Sequence, residues 1–358
     1  MKKNPDEKLL NNQGSDTIAR SFSTRGVGLA GISGEAYAPL DLPTFVPGKN
    51  TNTGSETDSS PDDIPFAEPK RIDLRGIPPY LILHGGCLAV YFTGWSWFAI
   101  GAAVFLYLVR MFAITAFYHR YFSHRAFKTS RFMQFVFAAL GNTAFQRGPL
   151  WWALNHRHHH KHSDHVDDKH SPKQFGFFWS HLGWLTDTEN LSTDYKKIKD
   201  FARFPELVFL NRYNLIVPAL YVAGLAATGW LLETFAPGLG TNAGQLVVWG
   251  FFISTVALLH VTLLVNSLAH VWGKRRFDTG DHSRNNWLIA VLTLGEGWHN
   301  NHHRYQHSAR QGFFWFELDV SYYLLKLMER LGLIYDLKPV PQRVYDEVRE
   351  LKKIESKT

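Results

Sequence analysis

Residues 77–118 read IPPYLILHGGCLAVYFTGWSWFAIGAAVFLYLVRMFAITAFY, and Arg110 is the only Lys, Arg, Asp or Glu among them. The stretch is about 40 residues long, whereas one helix needs roughly 20 apolar residues to cross the hydrocarbon core of a bilayer. The sequence Thr-Gly-Trp-Ser at 93–96 interrupts the apolar run. The stretch therefore predicts two membrane-spanning helices that form a tight hairpin with its turn at 93–96.

Two further apolar regions run from Asn214 to Leu232 and from Leu246 to Gly273, and a short connection containing Glu233 and Pro237 separates them. Each region is long enough for one span, so together they predict a second hairpin and four membrane-spanning helices in total. Residues 132–145 are also apolar, but about 14 residues are more typical of a helix at the membrane interface or buried in the protein. The predicted fold class is an all-α integral membrane protein.

The basic residues are distributed unevenly along the chain. Residues 119–212 hold 14 Lys or Arg, the part after Gly273 holds another 14, and residues 1–76 hold nine. The turn near Gly94 and the connection at 233–245 hold none. Because basic loops stay on the cytoplasmic side, both termini and the middle segment are predicted to be cytoplasmic. Contact with anionic lipid heads accounts for the formal charge of +7, so no nucleic-acid partner is needed.

The two ends of the chain differ in composition from the apolar part. Residues 1–76 are polar and include GKNTNTGSETDSSPDD, so we expect a disordered cytoplasmic tail. Residues 77–335 are predicted to form the membrane domain, and residues 336–358 a charged cytoplasmic C-terminal tail. The single cysteine, Cys87, excludes an intrachain disulfide framework.

Histidines cluster next to the predicted cytoplasmic ends of the spans. The first motif is HRYFSH at 119–124, the second is HRHHH at 156–160, and the third is HNNHH at 299–303. NSLAH at 266–270 lies near the end of the fourth span. The predicted topology brings all four segments to one depth.

Spacing within the motifs favours metal ligation. Residues at i, i+3 and i+4 project from one face of a helix. The second and third motifs each place three imidazoles in this way, namely His156, His159 and His160 and then His299, His302 and His303. His119 and His124 are five residues apart, about 140° around an ideal helix, so they share a face only where the helix ends or is distorted.

The number of histidines indicates how many metal ions they serve. Eight histidines in three motifs, or nine with His270, exceed the four ligands of a closed zinc site and suit two metal ions with four or five nitrogens each. Two redox-active irons are the natural interpretation. Carboxylates are expected to orient the rings through their free N–H groups, and Asp164, Asp168 and Glu296 are the nearby candidates. His84 and His260 are interpreted as hydrogen-bonded structural residues.

These motifs, in this order and between two membrane hairpins, resemble those of the membrane fatty-acid desaturase family, in its stearoyl-type delta-9 branch. The resemblance covers about Ile77 to Tyr335, and HSPKQFGFFWSHLGWL at 170–185 is similar as well. It implies four transmembrane helices in two hairpins with a cytoplasmic helical cap that holds a His-ligated di-iron centre. The implied iron ligands are His119, His124, His156, His159, His160, His270, His299, His302 and His303, and Asn266 would hold a metal-bound water. Four histidines do not occupy ligand positions, namely His158, His162, His165 and His170.

The resemblance also implies an activity. The enzyme would use O2 to remove two hydrogens from adjacent methylenes of a saturated acyl chain of about 16 to 18 carbons, giving a cis double bond, at the delta-9 position in this branch. The chain would lie in an apolar tunnel. Aromatic residues near the second motif are compatible with tunnel walls or with an interfacial belt, namely Trp151, Trp152, Phe177, Phe178, Trp179 and Trp184.

Each turnover needs two electrons from outside. The sequence has neither the HPGG motif of a fused cytochrome b5 nor a cysteine set for an iron–sulfur cluster. A separate ferredoxin or cytochrome b5-like donor is therefore implied. Lys196, Lys197 and Lys199 either attract such an acidic partner or contact lipid.

One departure leaves the acyl carrier open. Animal acyl-CoA desaturases carry Arg-Asp immediately before the second motif, where this chain has Leu154-Asn155. Acyl-CoA is the first choice and an acyl-lipid the second. A di-iron membrane hydroxylase of lipids is an alternative function, because hydroxylases use similar motifs. A histidine-rich metal transporter is a third hypothesis, although few polar groups lie along the spans.

Overall fold

The structure, a computed structural model, describes residues 67–355 except Pro69. The prediction of a disordered tail falls, for residues 1–66, outside the described residues. Within the rest of that segment, the Ala67 amide donates to Gln174 Oε1 at 2.9 Å. Asp73 caps a short 3-10 helix, Leu74–Gly76, and accepts a hydrogen bond from Thr188 at 2.8 Å. The domain boundary at residue 76 stays a prediction.

Helices account for most of the described residues. The α-helices are, in chain order, α1 Pro78–Cys87, α2 Val90–Thr93, α3 Trp97–Phe112, α4 Arg131–Asn142, α5 Pro149–His162, α6 Pro172–Phe175, α7 Phe177–His181, α8 Lys199–Ala202, α9 Pro205–Arg212, α10 Ile216–Phe235, α11 Ala243–Val247, α12 Ser254–Asn266, α13 Trp287–Leu292, α14 His299–Arg304, α15 Val320–Arg330 and α16 Gln342–Glu355. Two segments are π-helices, Ala113–Ser123 and Val248–Ile253. The strands β1, Lys128–Thr129, and β2, Ile334–Tyr335, form an antiparallel pair, so the fold is mostly rather than purely helical.

Within the described part of the chain, three continuous helices are long and apolar enough to cross a membrane. They are Trp97–Ser123, Ile216–Phe235 and Ala243–His270. The first turn lies where the sequence predicted it, since α2 ends at Thr93, Gly94 has a positive φ of 67°, and Ser96 Oγ caps α3. The predicted first span is not one continuous helix, because α1 has 10 residues and α2 has four. Gly85 and Gly86, which are poor helix formers, precede this interruption.

Arg110 lies buried between the apolar helices, and five neutral acceptors surround its guanidinium group. Its side chain donates to the carbonyl oxygens of Leu106, Thr143 and Gly250 and to the hydroxyls of Thr255 and Ser254. The Gly250 carbonyl belongs to the second π-helix and also accepts from Tyr221 Oη at 2.9 Å. All five N–H groups of the arginine are thereby matched, which is the condition for burying a charge in an apolar environment.

The other elements pack at the ends of the apolar helices. Residues 132–145 were predicted to form a short interfacial or buried helix, and α4 confirms the helix, with Phe137 buried and Phe132 mostly exposed. Residues 336–358 were expected to form a charged tail. They include α16, whose Val344 and Val348 pack against Phe277 and Phe313.

The start of α5 is fixed by a close backbone contact. The N-cap residue, Gly148, lies so near Asn211 that an added Cβ would come within 2.3 Å of the Asn211 Cα. Asn211 Oδ1 accepts from the Trp151 amide at 2.8 Å and supplies the cap that glycine lacks. Because α5 carries the second histidine motif, this contact sets the position of those imidazoles.

Candidate metal centre

The nine histidines that the resemblance identified as ligands lie in two groups. Within each group, one ring nitrogen from every histidine lies within 4.8 Å of the others. The five-histidine group consists of His119, His124, His156, His160 and His302. The four-histidine group consists of His159, His270, His299 and His303. The two groups adjoin, since the rings of His160 and His303 are 4.4 Å apart.

The first motif reaches the five-histidine group through a distorted helix. An ideal α-helix separates His119 and His124 too widely for both to face one point. The chain is instead a π-helix from Ala113 to Ser123, and the His124 amide donates to the His119 carbonyl at 3.3 Å. This bond spans five residues, so it brings the two imidazoles onto the same side, with ring centroids 4.9 Å apart.

The second and third motifs each serve both groups. On α5, His156 and His160 belong to the five-histidine group and His159 to the other. On α14, His302 belongs to the five-histidine group, whereas its neighbours in the motif belong to the four-histidine group. The three histidines of each motif were predicted to share one face of their helix. That face lies between the two groups.

Nitrogen spacing in the five-histidine group fits a shared cation. Its Nε2 atoms form one continuous series, with separations of 2.8, 3.0, 2.9 and 2.9 Å from His124 through His156, His160 and His302 to His119. Two nitrogens bound at about 2.1 Å and at right angles to each other would be about 3.0 Å apart. The series matches that separation.

The four-histidine group also has the features of a metal site. The Nε2 atoms of His270 and His299 are 3.0 Å apart. The Nε2 atoms of His159 and His303 are buried and have no hydrogen-bond partner within the described part of the chain. Buried polar atoms are normally paired, so these two nitrogens fit ligands whose partner is a metal ion.

Carboxylates contact the opposite ring nitrogens. The three carboxylates predicted to orient ligands each lie beside one. Asp168 Oδ2 is 3.0 Å from His159 Nδ1, and Asp164 Oδ2 is 2.8 Å from His270 Nδ1. Glu296 contacts Nδ1 of His119. Such contacts fix the tautomer and the orientation of a ligating ring.

A fourth carboxylate was not predicted from the sequence. Asp281 Oδ2 is 2.6 Å from Nδ1 of His303 and is itself held by the Ser283 and Thr279 hydroxyls. Asp281 lies 22 residues before its histidine, in a segment without regular secondary structure. The acidic residue in GDHS was the available signal, but no helical spacing connected it with the third motif.

Burial sets the protonation of these groups. It lowers the pKa values of His299 and His302 well below the usual range, and neighbouring imidazoles lower them further. Neutral rings keep the lone pair that a metal needs. Burial raises the pKa of Asp281, but contact with His303 and hydrogen bonds outweigh it, so the net shift is well downward. His299 and His302 are therefore neutral, and the Asp281 carboxylate beside His303 is ionised.

The four histidines interpreted as non-ligands lie outside both groups. His158 Nε2 contacts the Asp167 carbonyl oxygen at 2.8 Å, and His162 and His165 are on the outer side of the same region. His170 is buried against the ring of Trp184, and burial lowers its pKa to about 3. His170 does approach His159 and Asp168 closely enough to form a third possible metal-binding group.

His84 and His260 are hydrogen bonded, as the sequence predicted. His84 Nε2 is 2.9 Å from His260 Nε2, and His260 Nδ1 is 2.9 Å from His181 Nε2. The row ends at Ser267, whose hydroxyl is 3.0 Å from His181 Nδ1. Neither predicted structural histidine joins the two groups.

A cavity of about 620 Å³, partly open to solvent, adjoins the five-histidine group. Among the aromatic residues considered as tunnel walls, Trp151, Trp152 and Trp184 line the cavity together with His156 and Asn266. Phe178 is instead 89% exposed. Eight of the 15 lining residues are apolar or aromatic, and seven are polar or charged. The apolar part of this wall suits an acyl chain.

Replacing Asp281 should weaken metal binding. In Asp281→Asn, a neutral amide would replace the carboxylate beside His303, and loss of such an outer contact typically lowers metal affinity about 10- to 100-fold. Asp278→Asn is the matched control, because the Asp278 side chain is 86% exposed. Metal retained per chain after dialysis against graded chelator would separate them. Equal retention in both variants would show that Asp281 does not support the site.

The comparisons with known proteins agree with the site geometry. The family model described as fatty acid desaturase matches residues 95–331. A probable chloroplastic lipid desaturase of Arabidopsis thaliana is 40% identical over 68% of this chain and 64% of its own length. An acyl-CoA 5-desaturase of Anemone leveillei is 39% identical over 74% and 80%, respectively. An sn-1 stearoyl-lipid 9-desaturase of Anabaena variabilis is 39% identical over 72% and 91%. The family model covers about two thirds of the chain, and the chain therefore belongs to the fatty acid desaturase family.

Proposed function

We propose that this protein is an O2-dependent desaturase that introduces a cis double bond, at the delta-9 position, into a saturated acyl chain of about 16 to 18 carbons carried on CoA or lipid. One observation carries the proposal: the wall of the cavity includes His156, a member of the five-histidine group. A substrate in the cavity would therefore lie beside the metal centre.

The nine histidines would hold two irons, five nitrogens on one side and four on the other. The irons would supply the oxidising power, from O2, that breaks unactivated C–H bonds. Asn266 faces the same cavity and is our candidate for holding a metal-bound water. Asp164, Asp168, Asp281 and Glu296 would keep the rings oriented during the reaction.

The reaction balances with an external donor. The acyl chain loses two hydrogens, and O2 is reduced to two water molecules by those hydrogens together with two electrons and two protons. The chain supplies no redox cofactor motif, so a ferredoxin or a cytochrome b5-like protein would deliver the electrons. Lys196 and Lys199 are exposed and remain candidates for its docking surface.

Three hydrogen-bonded side chains in the cavity wall are suited to positioning the acyl chain. Gln146 Nε2 donates to Thr262 Oγ1 at 3.0 Å, and Trp152 Nε1 donates to Gln146 Oε1 at 3.4 Å. Trp152 also stacks on His156 with ring centroids 5.0 Å apart. This linked wall would fix the methylenes next to the metal ligand and exclude water.

We propose four membrane crossings, with α1 and α2 together forming the first. Residues 78–93 would then pair with α3, and α10 would pair with the helix ending at His270. The basic segments on the other side of these hairpins support a cytoplasmic location for both termini and the metal centre. The exposed apolar side chains Phe92, Leu220 and Phe235 suit contact with lipid.

The relatives differ in the position at which they act, since one is named a 5-desaturase and another a 9-desaturase. A lipid hydroxylase is the second candidate, because the same metal groups serve both outcomes. A metal transporter is disfavoured, since in the described chain nine histidines meet in two adjoining buried groups, whereas the row between the apolar helices contains only His84, His260 and His181.

Expression in a host with a defined lipid pool should produce delta-9 monounsaturated chains only when O2 is present. Double-bond mapping by mass spectrometry would measure the product. In a separate measurement, protein purified anaerobically with iron should hold close to two irons per chain. Hydroxylated chains would favour the second candidate. No lipid change in cells that contain the iron-loaded protein and a competent donor would contradict the desaturase proposal, and one iron in active enzyme would contradict the di-iron centre.

A further inference from the structure

Two cations next to the cavity have no acidic partner. Arg147 lines the cavity, and its guanidinium lies 5.3 Å from the ring centre of Trp151, another wall residue. Lys169 Nζ donates to Oδ1 of Asn155, a third wall residue, at 2.9 Å. Among residues 67–355 except Pro69, no carboxylate lies within 4 Å of either cation.

The arginines within the first two histidine motifs are paired with carboxylates, whereas Arg284 and Arg310 are half-buried and, among the described residues, bond only to backbone carbonyl oxygens. Arg120 contacts Glu296 and Asp319, and Arg157 contacts Asp200. Arg147 instead makes one hydrogen bond, of 3.3 Å, to the carbonyl oxygen of Leu191. Partial burial without a counter-charge is unfavourable for a cation, and burial indeed lowers the pKa values of Arg147 and Lys169.

The cationic character extends beyond these two residues. Lys197, which is exposed, lies near enough to Lys169 for its charge to lower the pKa of Lys169. The Asp187 carboxylate acts in the opposite direction and raises the pKa of Lys169. The proposal therefore depends on Arg147 and Lys169 alone.

The backbone before α5 holds Arg147 in an uncommon conformation. Phe145 and Arg147 have positive φ values of 60° and 63°, which non-glycine residues rarely adopt. Such conformations persist where the surrounding structure imposes them, and they concentrate at ligand sites. Both side chains, one apolar and one cationic, line the same cavity.

We propose that Arg147 and Lys169 bind the phosphate of the acyl carrier, so that phosphate-bearing carriers are preferred over neutral glycolipids. This inference rests on the proposed function. Arginine presents several donors in a fixed geometry that matches phosphate oxygens, and a lysine adds a point charge. The chemistry is common to acyl-CoA and to phospholipids. In this chain, Arg147 and Lys169 come from two other segments and would replace the Arg-Asp pair that is missing before the second motif.

Binding of three stearoyl carriers to the full-length protein in nanodiscs would test the inference. The probes are stearoyl-CoA, stearoyl phosphatidylglycerol and stearoyl monogalactosyldiacylglycerol, which is neutral. Arg147→Gln and Lys169→Gln should each weaken binding of the preferred phosphate carrier about tenfold or more, because each removes a charge-assisted hydrogen bond. Arg147→Lys should recover part of the loss. Lys161→Gln, at an exposed position on α5, is the control and should bind like the parent.

The three probes identify the source of the phosphate. Preferential binding of stearoyl-CoA, lost in the Gln variants, supports the proposal with CoA as carrier, and the same result with phosphatidylglycerol supports it with a phospholipid. If the phosphate carriers bind the parent and the Gln variants equally, or if the galactolipid binds the parent as tightly as they do, with iron content unchanged, this inference is overturned but the proposed desaturase stays intact. If none of the carriers binds, the acyl site itself is absent and both proposals fail.

Discussion

His159→Ala should abolish desaturation and lower the iron content, whereas His158→Ala should retain both irons and much of the activity. The two residues are neighbours on α5, but their side chains have different environments. His159 is 3% exposed, belongs to the four-histidine group and is held by Asp168. His158 points to the Asp167 carbonyl oxygen, so its loss removes one hydrogen bond worth about 1 kcal/mol.

Both variants would be expressed side by side and scored for iron per chain and for unsaturated product. His159 Nε2 is a buried nitrogen without a hydrogen-bond partner among the described residues, so we expect the variant to lose its metal or to hold it weakly. Equal loss of iron and activity in the two variants would refute the division of α5 into ligand and non-ligand positions.

Arg110→Leu should destabilise the membrane part of the protein more than any other single change to a charged residue there. Leucine would leave two hydroxyls and the carbonyl oxygens that now accept from the guanidinium without this donor, and each unsatisfied buried group costs about 1–3 kcal/mol. Some hydroxyls would turn to nearby backbone carbonyls, so we expect a net loss of about 3 kcal/mol. The melting temperature in detergent should fall by more than about 5 °C.

Arg212→Leu is the matched control for this measurement. Arg212 is exposed at the end of α9 and stacks over Tyr213. Surface substitutions of this kind usually change stability by less than about 0.5 kcal/mol. Similar melting temperatures for the two variants would mean that the buried hydrogen bonds of Arg110 contribute no net stability.

The sequence predicted best where local spacing determines the geometry. His156, His159 and His160 follow a helical period, so their convergence could be derived from the chain alone. The long apolar helices and the turn at Gly94 were also predictable, because hydrophobic length and a glycine with a positive φ are local properties. The division of the first span was not foreseen, although the Gly85-Gly86 pair marks where the helix is weak.

Contacts between distant segments were harder to derive. Asp281 reaches His303 from an irregular loop, and no periodicity connects the two residues. Arg147 lines the cavity and Lys169 contacts its wall residue Asn155 only because the loops on either side of α5 fold back along this helix. Which group each histidine joins was likewise beyond the sequence, since α5 and α14 each divide their ligands between the two.

The π-helix at residues 113–123 has a consequence for the way this family can change length. A deletion of one residue between Arg110 and His119 would let the chain relax into a regular α-helix. The backbone hydrogen bonds there would become more favourable. The same deletion would rotate His119 away from His124, and it would shift Arg110 relative to its acceptors on the neighbouring helices. One surplus residue thus links the register of the membrane helix to the assembly of the metal site, so insertions and deletions should be tolerated in the loops but not in this turn of helix.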